Sequence, residues 1–423
     1  MGKFSFVFRG KFMTLFLVFL MSLCGLYGQN NSERRPVDDM IFKVIVYGPS
    51  DEIFIWWGHA ALIVENIRWH YSRVFDWGIF SYPGESFLWD FLHNRISYKC
   101  TVDAMDLEMY IDEDRDITLY TLDLEAEQKE LILAYAENNV LPENCYYNYH
   151  EFRDNCSTRI RDIVDMGTRG QLKETFANTP ARYTLRQHIR RFTWFRPFED
   201  WVLDFLMGQD LDEGVTVWDE MFLPIEVGRN ITDFKYADAS GAERRLVSSV
   251  EILNVSKKRQ PILNLPLRRW PGDLMLGMIT ALILAGINAL RQRRPLAGRI
   301  LWAAAQVCLG LALGAVGCVL TFGLFFLGYD YIRQNINILF INPLLLAAAP
   351  LGILVMVNRK GRFNPAVCLR VIWICVFVMA LLTLGIKALP PFFQQNQPVH
   401  AFILPIAGLL SCIKEDGRYG FIK

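Results

Sequence analysis

"IWWGHAALIVENIRWHYSRVFDWGIFSY", residues 55–82, carries two β-prone apolar runs separated by a polar bend. "IWWGHAALIVEN" (55–66) reads as a mostly buried strand and "RVFDWGIFSY" (73–82) as its partner. If 55–66 and 69–80 form an antiparallel hairpin centred near Ile67–Arg68, His59 faces Asp76. A slip of one residue would turn Asp76 to the opposite face. His59 is the only ionisable residue between Glu52 and Glu65. Burying it is costly unless its ring nitrogens have partners, and a neighbouring carboxylate would fix its tautomer and favour its charged form. Asp76 equally suits a solvated strand position, or the bend before Gly78.

The sheet extends outward from this hairpin. "IFKVIVYGPS" (41–50) and "DITLYTLDL" (116–124) read as further strands, and "EAEQKELILAYAENNV" (125–140) as a helix. Helical segments follow near 182–193 and 198–208, and "MFLPIEVGRNITDFKYAD" reads as loop and strand. The class expected is α+β, an antiparallel sheet with helices packed on it.

The chain has 423 residues, 52% of them apolar and 21% charged, with 44 Lys+Arg balancing 44 Asp+Glu. No basic surplus points to nucleic acid. Charges are dense from about residue 30 to 270 and scarce beyond. Lys3, Arg9 and Lys11 precede an apolar run from Phe12 to Leu26, so residues 1–28 read as a signal peptide or an uncleaved anchor. Apolar stretches at 272–290, 300–328, 338–357, 367–389 and 399–413 predict a bundle of about five transmembrane helices, the last one short. Arg291, Arg293, Arg294 and Arg299 follow the first stretch, Arg359, Lys360, Arg362 and Arg370 the third, and Lys414, Arg418 and Lys423 the fifth. The alternate loops hold only Arg333 and Lys387 near the membrane, so the positive-inside rule turns residues 29–268 outward from the cytoplasmic membrane and leaves 269–423 as the membrane domain.

Of nine cysteines, only Cys100, Cys145 and Cys156 lie in the outward segment, an odd number for an oxidising compartment. No spacing suggests a metal, and no cofactor motif occurs. Cys156 sits in "YHEFRDNCSTRIRDIVD" (149–165), behind Asp154 and Asn155, both good N-caps. Cys156, Ile160, Ile163 and Val164 share one helical face, so the cysteine opens a helix on its buried side. The dipole and free N–H groups there stabilise a thiolate, and Arg159 and Arg161 add positive charge. An ordinary core cysteine behind an Asn cap fits the same pattern. A nucleophilic reading needs a histidine and an orienting polar group. The outward segment offers His59, His70, His93, His150 and His188.

A strand histidine followed by a later helix-start cysteine resembles the circularly permuted papain-like group, which includes the NlpC/P60-like and lecithin–retinol acyltransferase-like enzymes. "WWGHAALIV", "FDWGIFSYP", "YYNYHEFRDNCSTRIRDIVD" and "MFLPIEV" together resemble the DUF4105 family, the outward domain of the Lnb-type lipoprotein acyltransferases. "NINILFINPLLLAAAP" resembles the membrane domain paired with it. The resemblance spans roughly 40–360, and "FRDNCSTRIRD" is its most specific block. It implies acyl transfer to the N-terminal cysteine of lipoproteins, giving either an N-acylated or a lyso-form. Cys156 would be the acyl carrier and His59 the base, with a phospholipid or diacylglyceryl donor.

Trp56, Trp57, Tyr146, Tyr147 and Tyr149 are candidates for an acyl groove and equally for core. Trp270 and Tyr329 are candidate interface anchors. Asn335, Asn337 and Asn342 either line a cavity at membrane depth or, at Asn342–Pro343, simply cap a helix. Two other readings fit the chain. One is a papain-like peptidase or amidase acting on cell-wall peptides. The other is a non-catalytic receptor or scaffold in which His59 and Cys156 are core residues.

Overall fold

The computed structural model describes residues 35–80, 87–103, 107–357 and 363–413. The leader, with Cys24, and the basic residues Arg359, Lys360, Arg362, Lys414, Arg418 and Lys423 lie outside the described residues. Strands β1 (Met40–Tyr47), β2 (His59–Asn66), β3 (Tyr71–Phe80), β4 (Ser97–Asp103), β5 (Ile117–Leu122), β6 (Tyr146–Asn148) and β7 (Val247–Asn254) form one seven-stranded sheet. The order is β6-β4-β3-β2-β1-β5-β7, with antiparallel pairing throughout.

Strand β2 lies near the middle of the sheet and is covered on both faces, which explains its near-continuous apolar sequence. Leu62 and Val64 join Phe42, Val44 and Phe75 in one core, packed against Ile132, Ile160, Val164 and Val227 from three helices. Ala61 and Ile63 face the other way, into a smaller cluster with Ile45, Tyr47, Ile117 and Leu119.

The strand begins at His59, later than the residue pattern suggests. Residues Ile53–Ile55 form a 3₁₀ turn and Gly58 takes a φ of 88°. A β-carbon at Gly58 would stand 2.6 Å from the Tyr47 carbonyl, so this corner needs glycine for its backbone angle and its closeness.

The hairpin register also differs from the expectation. The ladder pairs Asn66 with Tyr71 and Leu62 with Phe75, which centres the turn at Arg68–Trp69. The cause is a four-residue turn. The Asn66 side chain accepts from the Arg68 and Trp69 N–H groups, at 3.1 and 2.9 Å, and His70 adopts a left-handed φ of 51°. Extended further, this register would set His59 against Gly78 rather than Asp76. A two-residue shift preserves the side-chain face. Pairing of β3 with β4 is irregular between Asp76 and Ile79.

A second correction concerns residues 221–238. Pro224–Thr232 is a helix, with Pro224 in its first turn and Val227 and Ile231 buried four residues apart. Only Lys235–Ala237 is strand, paired with Glu243–Arg245 in a separate small hairpin.

Among the described residues, the C-terminal part holds four helical segments long and apolar enough to cross a membrane: Trp270–Arg293, Pro295–Phe326, Ile336–Val357 and Pro365–Ile386. The fifth expected span, Gln397–Cys412, is apolar but has only 16 residues. Gly310, Gly314 and Gly317 let the second helix approach the backbone of Asn342–Ala349. Added β-carbons there would meet it or its side chains at 2.9, 2.7 and 2.4 Å. Trp270 starts the first span and is 45% exposed, as an interfacial anchor would be. Tyr329 is buried and packs against Tyr331, so it is not a comparable anchor.

Candidate active site

His59 opens β2 opposite Tyr47 of β1, and the two rings stack with centroids 5.9 Å apart. Its Nε2 lies 3.0 and 2.9 Å from the two Asp76 carboxylate oxygens. One of those oxygens also accepts the Gly78 N–H at 2.6 Å. Gly78 is required by this closeness: a β-carbon there would stand 2.2 Å from His59 Cε1. On the observed register Asp76 is a diagonal, same-face neighbour of His59, within side-chain reach.

Cys156 lies close enough to the His59 ring to raise its pKa, and both residues line one cavity. With Nε2 held by Asp76, Nδ1 is the nitrogen left for the sulfur. Burial alone would lower the His59 pKa. The Asp76 carboxylate and Cys156 override it and raise His59 to about 10. Burial likewise pushes Asp76 up, but His59 and the Gly78 N–H together hold it below the usual carboxylate range. The arrangement favours a protonated imidazole between a carboxylate and a sulfur.

Cys156 is the first residue of the helix Cys156–Gly167 and is 9% exposed. Asn155 is its cap: its side-chain oxygen accepts the Thr158 N–H at 2.9 Å, and Thr158 Oγ1 accepts the Asn155 N–H at 2.8 Å. The Asn155 amide donates to the carbonyls of Glu151 and Phe222, at 2.8 and 3.0 Å, and the Ser157 hydroxyl donates to Met221 at 2.9 Å. Residues 221–222 therefore fix where the cysteine starts its helix. The N–H groups of Cys156 and Ser157 precede the first intrahelical acceptor, which leaves them available to a ligand oxygen.

The charged neighbours do something other than expected. Asp154 does not cap the helix; its carboxylate grips Arg159 at 2.5 and 2.7 Å, and that guanidinium lies over the Tyr147 ring. Arg161 pairs with Asp162, donates to the Trp218 carbonyl and covers the Trp218 ring at 4.0 Å. Both cations are spent on these partners rather than on the sulfur.

Cys156, His59 and Asp76 line one cavity of about 420 Å³. Tyr149 lines it too, stacked at 4.2 Å on Tyr98, a wall residue that the sequence did not single out. Burial pushes the Tyr98 hydroxyl up to about 12, with Cys156 adding to the effect. Trp57 lies elsewhere, in an apolar cluster with Ile189, Phe192 and Phe222. Trp56 is buried and donates to the Asp51 carbonyl at 3.1 Å, Tyr146 is exposed, and the Tyr147 hydroxyl donates to the Trp77 carbonyl.

The three asparagines of the helical half are not cavity residues. Asn335 is buried and donates to the carbonyls of Phe205 and Leu206, at 2.8 and 3.2 Å, and Asn337 donates to Phe205 at 3.2 Å. They satisfy the last carbonyls of the helix Pro197–Leu206, which a helix end leaves without partners. Asn342 accepts the Leu344 N–H at 3.1 Å and is a helix cap.

The remaining histidines and thiols stay apart from the triad. His188 is buried between Glu220 at 3.3 Å and Arg191 at 3.0 Å, and His93 contacts the Trp89 carbonyl. Cys100 and Cys145 are free thiols on neighbouring chain segments, with the Cys100 N–H donating to the Cys145 carbonyl at 2.8 Å. Burial, then Asp76, pushes the Cys100 thiol up to about 12, which makes it a poor nucleophile. Among the described residues no cluster of His, Cys, Asp or Glu could hold a metal.

The turn that leads into Cys156 is braced by the helical half. Arg153 pairs with Asp330 at 3.1 Å, and the Phe152 ring meets Tyr331 edge-on at 5.5 Å. His150 Nε2 lies 3.3 Å from Asp330 without hydrogen-bond alignment.

No curated protein and no solved structure matches the chain. Residues 41–191 match the family model of the Lnb N-terminal periplasmic domain, a stretch that contains His59, Asp76 and Cys156. With four helices able to cross a membrane beyond it, the chain is similar to an Lnb-type membrane protein with a periplasmic domain.

Proposed function

We propose that this protein is an acyltransferase of the inner membrane that carries a fatty acyl chain on Cys156 and delivers it to the N-terminal amine of lipoproteins. The observation that carries the reading is the Asp76–His59–Cys156 line at one cavity. The order of histidine strand, carboxylate and helix-start cysteine on an antiparallel sheet supports a circularly permuted papain-like fold, and the family match supports the lipoprotein substrate.

His59 takes the Cys156 proton, and the thiolate attacks an acyl ester carbonyl. The N–H groups of Cys156 and Ser157 receive the oxyanion. The ester C–O bond breaks, the alcohol leaves with the proton from His59, and a thioester remains. A lipoprotein α-amine then attacks the thioester and gives a proton to His59. The C–S bond breaks, which yields an amide and returns the thiolate. Asp76 holds the imidazole in orientation and stabilises its cation. The sequence of steps calls for no cofactor.

The test is mass spectrometry of the full-length protein in membranes. An acyl adduct on Cys156, together with N-acylated lipoprotein termini that disappear in a Cys156→Ser strain, is the expected result. Unmodified Cys156 and unchanged termini would sink the proposal. Cleavage of cell-wall peptides by the released sheet domain would favour a peptidase instead.

A further inference from the structure

Beyond the triad, the same cavity holds a cation that the steps above leave unused. Arg115 precedes β5, is 1% exposed and lines the cavity with Cys156 and His59. Its Nε donates to the Gly48 carbonyl at 3.0 Å, and one terminal nitrogen reaches Glu113 only at 3.5 Å. The other terminal nitrogen, Nη2, is buried and has no hydrogen-bond partner among the described residues. The guanidinium carbon lies 5.3 and 5.2 Å from the ring centroids of Tyr47 and Tyr110, which hold it in place.

We infer that Arg115 binds the phosphate of the acyl donor, so that the lipid reacting with Cys156 is a glycerophospholipid; this rests on the acyl-transfer reading above. Three observations support the choice of ligand. A buried donor with no partner is costly, so a ligand oxygen gains most at this point. Of the carboxylates that act on Arg115, Glu113 is part-exposed at 3.5 Å and Asp76 is held by His59, so the buried guanidinium keeps a free donor that favours an anion over a neutral carbonyl. A guanidinium fork also matches the oxygens of a phosphate. The surroundings suit the rest of a lipid: Ile55, Ile79, Phe80 and Met109 line the cavity, and Phe54 is 71% exposed beside them. The phosphate would sit at Arg115 while the acyl ester reaches Cys156, and transfer would release a lysophospholipid.

The experiment measures single-turnover thioester formation on Cys156 in the full chain. Donors are a phospholipid and a diacylglycerol with the same acyl chains. Wild type should use the phospholipid at least about tenfold better, as one charge-assisted pair allows. Arg115→Lys, which keeps the cation over the tyrosines, and Arg115→Met should both remove most of that preference. Acylation by diacylglycerol, which has no phosphate for Arg115 to bind, should fall less than acylation by phospholipid, so the ratio of the two donors and not either rate alone reports the phosphate contact. Equal use of the two donors by wild type, an unchanged preference in both variants, or equal loss with both donors would overturn the role of Arg115 while leaving acyl transfer intact. No thioester from either donor in wild type would overturn the acyl-transfer reading itself.

Discussion

The sheet domain and the helical half each bury polar side chains that a sequence reader would pick as functional, and they use them in opposite ways. His59 and Asp76 are partnered by each other at the cavity that holds the Cys156 thiol, all groups that can exchange a proton. Asn335 and Asn337 are partnered by backbone carbonyls at a helix end. Both arrangements satisfy the rule that buried polar groups need partners. On the proposed function, only the first takes part in chemistry. The identity of the partner separates a reactive polar residue from a structural one.

That contrast can be broken most severely at the sulfur. Cys156→Ser should cut acyl transfer by about 10⁴-fold or more, with folding and insertion unchanged, as read by lipoprotein acylation and by circular dichroism. His59→Ala should fall by about 10³-fold and lose iodoacetamide labelling of Cys156 at neutral pH. Equal labelling of variant and wild type would remove His59 as the base. Asp76→Asn should act mainly on kcat, by about 10²-fold, with little change in KM. The carboxylate raises the His59 pKa, so its removal lowers that pKa, and the basic limb of the rate profile should move to lower pH. An unshifted limb at full rate would make Asp76 structural.

Asn337→Ala sharpens the other side. It strips a donor from the Phe205 carbonyl and an acceptor from Asn396, and should cost about 1–3 kcal/mol in thermal unfolding while kcat of the folded protein stays near wild type. A large kcat loss at unchanged stability would erase the distinction between the two regions. The smallest effect is expected from Cys145→Ala, whose rate should match wild type within about twofold, because this thiol bonds the Pro142 carbonyl away from the cavity that holds Cys156.

The meeting of His59, Asp76 and Cys156 at one cavity was legible because each carries a local signal: a histidine alone in an apolar strand, a carboxylate across a short bend, a cysteine behind an asparagine cap. The observed register differs from the expected one by the four-residue turn at 67–70, yet Asp76 reaches His59 because the displacement is even and keeps both side chains on one face. The helix at Pro224–Thr232 was missed because its proline reads as a loop marker when it stands at a helix start. Arg159 and Arg161 were misjudged because proximity in sequence does not show which carboxylate or ring absorbs a guanidinium. Tyr98 and Arg115 carried no local mark. They meet Cys156 only through strand order, and strand order is a property of the whole sheet.

The brace between Arg153 and Asp330 has a consequence for how the molecule is made. The ribosome emits Cys156 long before Asp330, and two membrane-crossing helices intervene between them. The turn ahead of the cysteine cannot gain that ion pair, or the Phe152–Tyr331 contact, until both helices are threaded and the loop after them has returned to the same side as the sheet. Completion of this turn is therefore tied to topogenesis: a newborn chain with its periplasmic domain already exported still waits for its second half before the site is fully braced.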